Sequence, residues 1–284
     1  MQIKGTTKLL GIIGDPIEHS KSPLIQNAAI EALKLDYVYI PFLVKKEDLE
    51  TVLKGFQAIN LVGFNVTIPH KENIIPFLTN VSKYAKKIGA VNTVWLTKNG
   101  WQGTNTDIDG FIAPLKELNR DWHNILPLVI GAGGASRAVI VGLEQLGCEE
   151  IRVVGRNFQK LNAFKDSFLY SCLNCRISVY GWHQIGDLIP HSDLIVNTTP
   201  LGMYPNIDIS PLTKEQNSLV KPNVIAYDLI YTPRPTLFLQ EVQKQGGIII
   251  DGSEMLVQQG AKAFEIWTGK KPSIEIMSKA LLFS

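Results

Sequence analysis

The chain has 284 residues, of which 45% are apolar and 19% charged, a composition typical of a folded globular protein rather than a long disordered one. At about 150 residues per domain, this length favours two domains. Lysine and arginine number 28 against 26 aspartates and glutamates, a net charge of +2. This balance predicts no nucleic-acid partner, although it allows a local basic pocket.

The three cysteines, Cys148, Cys172 and Cys175, are too few, and odd in number, for a disulfide framework. They favour a reducing, cytoplasmic compartment. Cys172 and Cys175 form a C-x-x-C pair without a second pair at zinc-site spacing, so we interpret them as incidental thiols and expect no metal. The amino terminus lacks a signal-like apolar stretch, and the most apolar segment, around 125–136, contains three glycines. We therefore expect no membrane span.

Short apolar runs alternate with segments of helical periodicity along the chain. The first strands are predicted at 9–14, 37–44 and 61–68, and a helix at 23–33 with Ser22 as its N-cap. Later strands, apolar nearly throughout, are predicted at 126–130, 151–154, 194–197, 224–229 and 248–251, and helices at 136–146 and 254–269. This βαβα order predicts an α/β fold with mainly parallel sheets.

A glycine-rich turn follows the strand predicted at 126–130 and opens the helix predicted at 136–146. The turn consists of Gly131, Ala132, Gly133, Gly134 and Ala135. In this setting, backbone N–H groups and a helix N-terminus can bind a pyrophosphate. Ser136 stands at the third small position of the usual pattern, and the next strand completes a βαβ unit. These features predict a Rossmann-type dinucleotide site.

Gly155, Arg156 and Asn157 follow the second strand of that unit, where NAD-binding proteins usually carry an acidic residue. A guanidinium can bind a 2′-phosphate through paired charge-assisted hydrogen bonds, and Lys160 follows one turn later. These residues favour NADP over NAD as the cofactor. The alternative is that Arg156 is a solvated loop residue.

Polar side chains gather at the predicted strand ends of the first 107 residues, where α/β proteins build their sites. They occur in the segments 19–23, 64–71, 89–93 and 103–107. Each buried hydroxyl of a ligand needs a hydrogen-bond partner, so clustered Ser, Thr and Asn side chains favour a polyhydroxylated ligand. Asn65 and Thr67 are predicted to share one face of their strand. Taken singly, each such residue is more often a turn or a helix cap.

Together these segments resemble the shikimate dehydrogenase family, whose members use NADP to interconvert 3-dehydroshikimate and shikimate on the route to chorismate and the aromatic amino acids. The resemblance extends from Gly11 to Gly269. It rests on segments 20–23, 65–71, 89–93, 105–107, 131–135 and 197–203, on Tyr227, Asp228, Tyr231 and Pro233, and on Gly252, Met255, Leu256 and Gln259.

The resemblance implies a substrate domain, a Rossmann domain and an active site in the cleft between them. Residues 1–106 with 252–284 would form the substrate-binding and catalytic domain, and residues 107–251 the NADP-binding domain. Substrate would be bound by Ser20, Ser22, Asn65, Thr67, Lys71, Asn92, Asp107, Tyr231 and Gln259. The cofactor would be bound by Gly131, Ala132, Gly133, Gly134, Ala135, Arg156, Lys160, Thr198, Met203, Leu229 and Gly252. The small-molecule substrate would be shikimate or 3-dehydroshikimate. The chain would be a monomer or a homodimer.

The resemblance also implies that Lys71 and Asp107 form the catalytic pair. Reduction of a ketone needs a hydride on carbon and a proton on the developing alkoxide, and a lysine held by an aspartate can supply the proton. At ~4 Å and an effective dielectric near 20, the aspartate favours the charged lysine by about 4 kcal/mol, whereas desolvation favours the neutral form. His70 is another candidate acid, but strand alternation predicts that it points away from Lys71, so we interpret it as a turn residue.

Three alternatives stay open. A quinate or dual quinate/shikimate dehydrogenase using NAD(P) is the nearest, and Ser20, Ser22 and Arg156 favour shikimate and NADP over it. A methylenetetrahydrofolate dehydrogenase would lack the Ser-x-Ser and Asn-Thr-Asp segments. A non-catalytic NADP sensor would have no need of Lys71 and Asp107. The family commonly has Asn-Arg-Thr at 155–157, so the strength of the NADP preference also stays open.

Overall fold

The computed structural model describes residues 2–169 and 173–282. They form two compact units, one of Met1–Gly110 with Leu256–Ser284 and one of Phe111–Met255. Both boundaries lie a few residues after the predicted ones. Cys172 lies outside the described residues, so the interpretation of the C-x-x-C pair stays a prediction.

The first unit is built on a mixed sheet. Its elements before the first boundary are β1 (Lys8–Gly14), α1 (Ser22–Ala32), β2 (Tyr37–Leu43), α2 (Leu49–Ala58), β3 (Gly63–Val66), α3 (His70–Asn73), β4 (Asn80–Val81), α4 (Lys83–Ile88), β5 (Thr93–Thr97) and β6 (Gly100–Thr104). The strand order is β2-β1-β3-β5-β6-β4. β1 is parallel to β2 and β3, and β4 is parallel to β6, whereas β5 is antiparallel to both of its neighbours.

The second unit is built on a parallel sheet. The chain enters it through α5 (Asp107–Glu117) and continues with β7 (Pro127–Ile130), α6 (Gly134–Leu146), β8 (Glu150–Gly155), α7 (Phe158–Asp166), β9 (Arg176–Gly181), α8 (Ile185–Leu188), β10 (Leu194–Asn197), α9 (Lys214–Asn217), β11 (Ile225–Asp228), α10 (Leu237–Lys244) and β12 (Ile248–Ile250). From β9, the strand order is β9-β8-β7-β10-β11-β12. This is the doubly wound order of a dinucleotide-binding fold, with the reversal between β7 and β10. The predicted α/β class and Rossmann unit are confirmed.

The end of the chain returns to the first unit. It consists of α11 (Gly252–Thr268) and α12 (Ile274–Leu282). The Trp267 indole N–H donates to the carbonyl of Val94 at 2.9 Å, and the Gln26 side-chain amide donates to the carbonyl of Gly260 at 2.9 Å. Apolar residues of both helices are buried against β1 and α1. These contacts attach the last helices to the sheet that carries the predicted substrate residues.

Most predicted elements are present with bounds shifted by one or two residues, and the strand predicted at 194–197 coincides with β10. The prediction that Ser22 caps the first helix was wrong. Ser22 is the first helical residue, and Lys21 holds the cap position without a side-chain hydrogen bond. Pro23, which has no N–H, fits the second helical position as well as the first, because a backbone N–H at either position would have no partner within the helix. None of the helices in residues 2–169 and 173–282 could span a bilayer.

Candidate active site

Lys71 and Asp107 meet in the first unit. Lys71 lies in α3, and its carbonyl accepts from the backbone N–H of Val91 at 2.8 Å. Asp107 begins α5, where a carboxylate is favoured by the helix dipole. Lys71 Nζ donates to Asp107 Oδ2 at 2.6 Å, and the two side chains are 29% and 15% exposed. The pair is a short charge-assisted contact that a ligand can still reach.

Asn92 holds the other carboxylate oxygen. Its Nδ2 donates to Asp107 Oδ1 at 2.7 Å, while its Oδ1 accepts from the backbone N–H of Thr106 at 2.7 Å. The Thr93 hydroxyl also donates to Asn92 Oδ1, at 2.9 Å. Both threonines are buried. The orientation of Asp107 is therefore determined by the interior of the unit as well as by Lys71.

Asn65 continues the same network. It is buried on β3, and its Nδ2 donates to the carbonyl of Asn92 and to the Thr93 hydroxyl, each at 3.1 Å. Its Oδ1 accepts from the phenol of Tyr39 at 2.7 Å. Burial raises the pKa of Tyr39 well above its ordinary value, and the Ser22 hydroxyl opposes this rise. Asn65 thereby connects Tyr39 on β2 with Asn92.

Gln259 reaches this network from α11. Its Nε2 donates to the carbonyl of Leu256 at 2.8 Å, and its Oε1 lies 3.5 Å from Asn92 Nδ2, at the limit of a hydrogen bond. Ser20 and Thr67 lie beside the network rather than in it. Ser20 Oγ accepts from the backbone N–H of Ser22 at 3.3 Å. Thr67 follows β3, and its backbone N–H donates to Ile13.

His70 is not the turn residue that the sequence predicted. It begins α3, is fully buried, and its Nε2 lies 2.7 Å from the carbonyl oxygen of Val44. The turn prediction was wrong because residues 70–73 form a short helix after Pro69. The argument from strand alternation does not reach His70, because β3 ends at Val66. Its buried position makes His70 a structural residue in this conformation.

The glycine-rich turn of the second unit leaves room for a ligand at its backbone. Gly131 has φ +109°, and a Cβ there would lie 2.7 Å from Thr198 Oγ1, so both the turn and the neighbouring strand end require glycine. A Cβ on Gly133 or Gly134 would meet no described atom within 4 Å. Because α6 begins at Gly134, its first N–H groups have no partner within the helix. The turn fits a pyrophosphate.

The other predicted cofactor residues surround the same edge of the parallel sheet. Thr198 follows β10 and donates its hydroxyl to the carbonyl of Ile130 at 2.8 Å, and Met203, in the same loop, is 45% exposed. Leu229 follows β11. A Cβ on Gly252 would lie 2.1 Å from the Leu229 carbonyl oxygen, so only glycine fits at the start of α11. Tyr231 also follows β11, and burial raises the pKa of its phenol.

Arg156 and Lys160 present two exposed cations after β8. Asn157 lies between them and caps α7, its Oδ1 accepting from the backbone N–H of Lys160 at 2.9 Å. Arg156 thus stands directly between the strand and the capped helix. This is where a 2′-phosphate binds when a Rossmann unit takes NADP.

Comparison with known proteins decides the family. The substrate-binding domain model of shikimate dehydrogenase matches residues 12–94, and the C-terminal domain model of shikimate 5′-dehydrogenase matches residues 252–282. The NADP(+) shikimate dehydrogenase of Gloeothece citriformis is 54% identical over 279 residues, which cover 98% of this chain and 97% of that protein. The chain belongs to the shikimate dehydrogenase family.

Solved structures of the shikimate dehydrogenase family and of a quinate dehydrogenase share the whole fold. Shikimate 5-dehydrogenase from Listeria monocytogenes, in complex with shikimate and NAD, has a TM-score of 0.91 at 34% identity and covers 99% of this chain, with 98% of its own chain covered. Quinate dehydrogenase from Corynebacterium glutamicum, in complex with NAD, has a TM-score of 0.90 at 28% identity, with 98% and 99% covered. The predicted family is confirmed, and with it the class of NADP-linked oxidoreductases acting on a CH–OH group.

Asp228 is a candidate that the sequence analysis did not assign. It ends β11, is fully buried, and accepts from Asn197 Nδ2 at 3.1 Å, the backbone N–H of Ile230 at 3.1 Å and the Thr236 hydroxyl at 2.7 Å. Burial raises its pKa from 3.8 to about 6. The carboxyl connects the loop after β10 with the loop after β11, and both loops carry predicted cofactor residues. The sequence signal that could have identified Asp228 is an acidic residue at the end of an apolar strand.

Proposed function

We propose that the chain catalyses the reversible reduction of 3-dehydroshikimate to shikimate by NADPH, with Lys71 and Asp107 as the catalytic pair. The observation that supports this most directly is the 2.6 Å contact between Lys71 Nζ and Asp107 Oδ2, held from the other side by Asn92. Membership of the shikimate dehydrogenase family supplies the substrate class.

The cofactor, when bound, supplies a hydride to the substrate carbonyl carbon. Lys71 supplies the other half of the reaction. Its ammonium has three N–H groups, of which one is directed at Asp107, so the remaining two are free to donate to a substrate oxygen. As negative charge develops on that oxygen, Lys71 transfers a proton to it. Because Lys71 is partly exposed, water can restore the proton afterwards.

Asp107 acts in two ways in this proposal. Its negative charge keeps the Lys71 ammonium in place before the reaction, and its remaining lone pairs can accept a hydrogen bond from a substrate hydroxyl. Asn92 occupies Oδ1 and Lys71 occupies Oδ2, so the carboxylate is held at both oxygens. A catalytic group held in this way spends little energy on reorganisation during the reaction.

The remaining substrate contacts divide by chemistry. Ser20 and Ser22 would donate to the substrate carboxylate. Asn92 and Gln259 would bind hydroxyls, with Asn65, Thr67 and Tyr231 as further contacts. NADP would be held by the backbone of Gly131–Ala135 and by Thr198, Met203, Leu229 and Gly252, with Arg156 and Lys160 on its 2′-phosphate. The resemblance of the sequence motifs to those of the family supports these assignments.

Quinate oxidation with NAD is the second candidate, because the quinate dehydrogenase of Corynebacterium glutamicum shares the fold at a TM-score of 0.90. One assay separates the two. The rate of NAD(P)H formation is measured at its absorbance band with shikimate or quinate and with NADP or NAD. We expect the highest kcat/KM with shikimate and NADP. A higher kcat/KM with quinate and NAD would replace the proposal. Sedimentation of the same sample tests whether the chain is a monomer or a homodimer.

A further inference from the structure

A continuous run of hydrogen bonds connects Tyr39 with Asp107 through the interior of the first unit. Tyr39 Oη donates to Asn65 Oδ1 at 2.7 Å, and Asn65 Nδ2 donates to Thr93 Oγ1 at 3.1 Å. Thr93 Oγ1 donates to Asn92 Oδ1 at 2.9 Å, and Asn92 Nδ2 donates to Asp107 Oδ1 at 2.7 Å. Tyr39 is 2% exposed and Thr93 fully buried, so neither is placed to contact a ligand.

Every donor in this chain points in the same direction. The Thr93 hydroxyl accepts from Asn65, and its single hydrogen can go to Asn92 Oδ1 at 2.9 Å or to the Thr106 hydroxyl at 3.1 Å. The Thr106 hydroxyl in turn donates to Asn92 Oδ1 at 3.2 Å, so both routes lead to Asn92. Both asparagines accept at their amide oxygen and donate from their amide nitrogen in the same sense. The chain ends on the carboxylate of Asp107. Successive hydrogen bonds of one direction polarise one another, so each strengthens the next.

The chain also determines what the two asparagines can offer a ligand. Reversing the Asn92 amide would bring its NH2 group against the backbone N–H of Thr106 and its oxygen against Asp107 Oδ1. Both N–H groups of Asn65 are engaged, by the Asn92 carbonyl and by Thr93. Asn65 therefore offers a ligand only a lone pair, whereas the second N–H of Asn92, the one not bonded to Asp107, faces Gln259 Oε1 at 3.5 Å.

We propose that Thr93 and Tyr39 are positioning residues for the reaction, acting through Asn92 and Asn65 to hold Asp107, and through it Lys71. The proposal rests on the function proposed above. Without the Thr93 hydroxyl, Asn65 loses an acceptor and Asn92 loses a donor inside the protein, so both amides gain freedom. A small misplacement of a catalytic group lowers the rate of the chemical step more than it lowers binding.

The first test removes the Thr93 hydroxyl without changing the volume of the side chain. We expect Thr93→Val to lower kcat about tenfold while the KM for shikimate stays within about threefold, the split expected when an interaction serves the transition state. Thr93→Ser, which keeps the hydroxyl, should stay within about twofold of the wild type. Thr97→Val is the matched control, since Thr97 lies on the same strand and donates only to the Gly100 carbonyl at 2.9 Å.

The second test follows the direction of the chain. Tyr39→Phe removes the first donor, four bonds from Asp107, and should lower kcat by about threefold, less than Thr93→Val. Once the chain is interrupted at Thr93, Tyr39 no longer acts on the Asn92 side chain, because the remaining bond from Asn65 is to the Asn92 backbone carbonyl. The double variant should therefore be no slower than Thr93→Val alone, whereas independent effects would multiply.

The outcomes separate this proposal from the proposed function. Wild-type kcat in folded Thr93→Val, or equal losses in the valine and serine variants, would overturn the positioning role. If the wild-type protein does not turn over shikimate, the proposed function fails, and NMR then tests the chain by itself. The Asn92 side-chain NH2 resonances should shift in Thr93→Val and return in Thr93→Ser. Unchanged resonances in Thr93→Val would contradict the proposal.

Discussion

The two units present their candidate residues in opposite ways. In the first unit the site consists of side chains bonded to one another, with Asn65 and Asn92 buried and Lys71 held at 2.6 Å from Asp107. In the second unit it consists of glycine backbone and exposed side chains such as Arg156 and Met203. Substitutions in the first site should therefore be strongly coupled and affect chemistry. Substitutions in the second should be local and affect cofactor binding.

The largest expected effect is the loss of turnover on substitution of Lys71 in the first unit. Lys71→Ala should lower the turnover number by roughly two to four decades while shikimate binding stays within about tenfold, because the proton is needed only late in the reaction. Steady-state rates and a binding titration measure the two effects separately. Lys83→Ala, an exposed lysine on α4, is the control and should leave both unchanged. Equal losses in binding and turnover would mean that Lys71 only binds substrate.

Asp228 allows a test in the second unit, through the pH dependence of the free energy of unfolding. Its pKa is raised from 3.8 to about 6, so the folded state holds the proton more tightly than the unfolded chain. The resulting stabilisation is fully present below pH ~3.8 and lost as the pH rises through about 6, a change of about 3 kcal/mol. Relative to Asp228→Asn, the wild type should therefore lose free energy of unfolding as the pH rises through this range.

Urea denaturation at several pH values between 4 and 7 measures this difference. Asp208→Asn is the control, because Asp208 is exposed in the same unit and should leave the wild-type pH dependence unchanged. Parallel curves for the wild type and Asp228→Asn would show that Asp228 has an ordinary pKa. The bond from Thr236 would then be made to a carboxylate at every pH above 4.

Substitution of Arg156 tests the predicted cofactor site of the second unit, through the preference for NADP over NAD. Arg156→Ala should raise the KM for NADP by about 10- to 100-fold and change the KM for NAD by less than about twofold, because only NADP carries the 2′-phosphate. The comparison is made by steady-state kinetics with both cofactors. Arg120→Ala, an exposed arginine before β7, should alter neither. Equal changes with NADP and NAD would contradict the assignment.

Substitution of Ser22 should give the smallest effect, and it tests whether the Ser22 side chain binds substrate rather than capping α1. Ser22→Ala should weaken shikimate binding by about five- to tenfold with little change in melting temperature, because the Ser22 side chain does not cap α1. Ser82→Ala is the matched control, since Ser82 does cap α4 by accepting from Ala85. That variant should lower the melting temperature by a few degrees and leave shikimate binding unchanged. The reverse pattern would restore the cap interpretation.

The fold was predictable where apolar runs are long, as in the strands of the parallel sheet. The β5 and β6 hairpin was missed, because β6 contains Gly100, Gln102 and Gly103 and has no continuous apolar run. The β9 strand was missed because it begins with Arg176 and alternates polar and apolar residues. In both cases pairing with a neighbouring strand, rather than local sequence, stabilises the extended backbone.

Lys71 and Asp107 were singled out because both lie in spaced motifs that resemble those of a family, and the structure brings the two side chains into contact. Tyr39 was missed because a tyrosine in an apolar strand is typical of a core residue, and its single bond to Asn65 depends on the pairing of β1 with both β2 and β3. Thr93 stands beside Asn92 in the same motif, but only the folded structure shows which way its hydroxyl donates. Hydrogen-bond direction is a property of the three-dimensional arrangement, which residue spacing does not encode.

The most direct test of the proposed catalytic pair is a double-mutant cycle on Lys71 and Asp107. Turnover numbers are measured for Lys71→Ala, Asp107→Asn and the double variant, with circular dichroism to establish that each is folded. Because the two residues act as one unit, the double variant should be within about threefold of the slower single variant. If the two losses multiply, or if folded Lys71→Ala retains near-wild-type turnover, the proton comes from another group and the account is wrong.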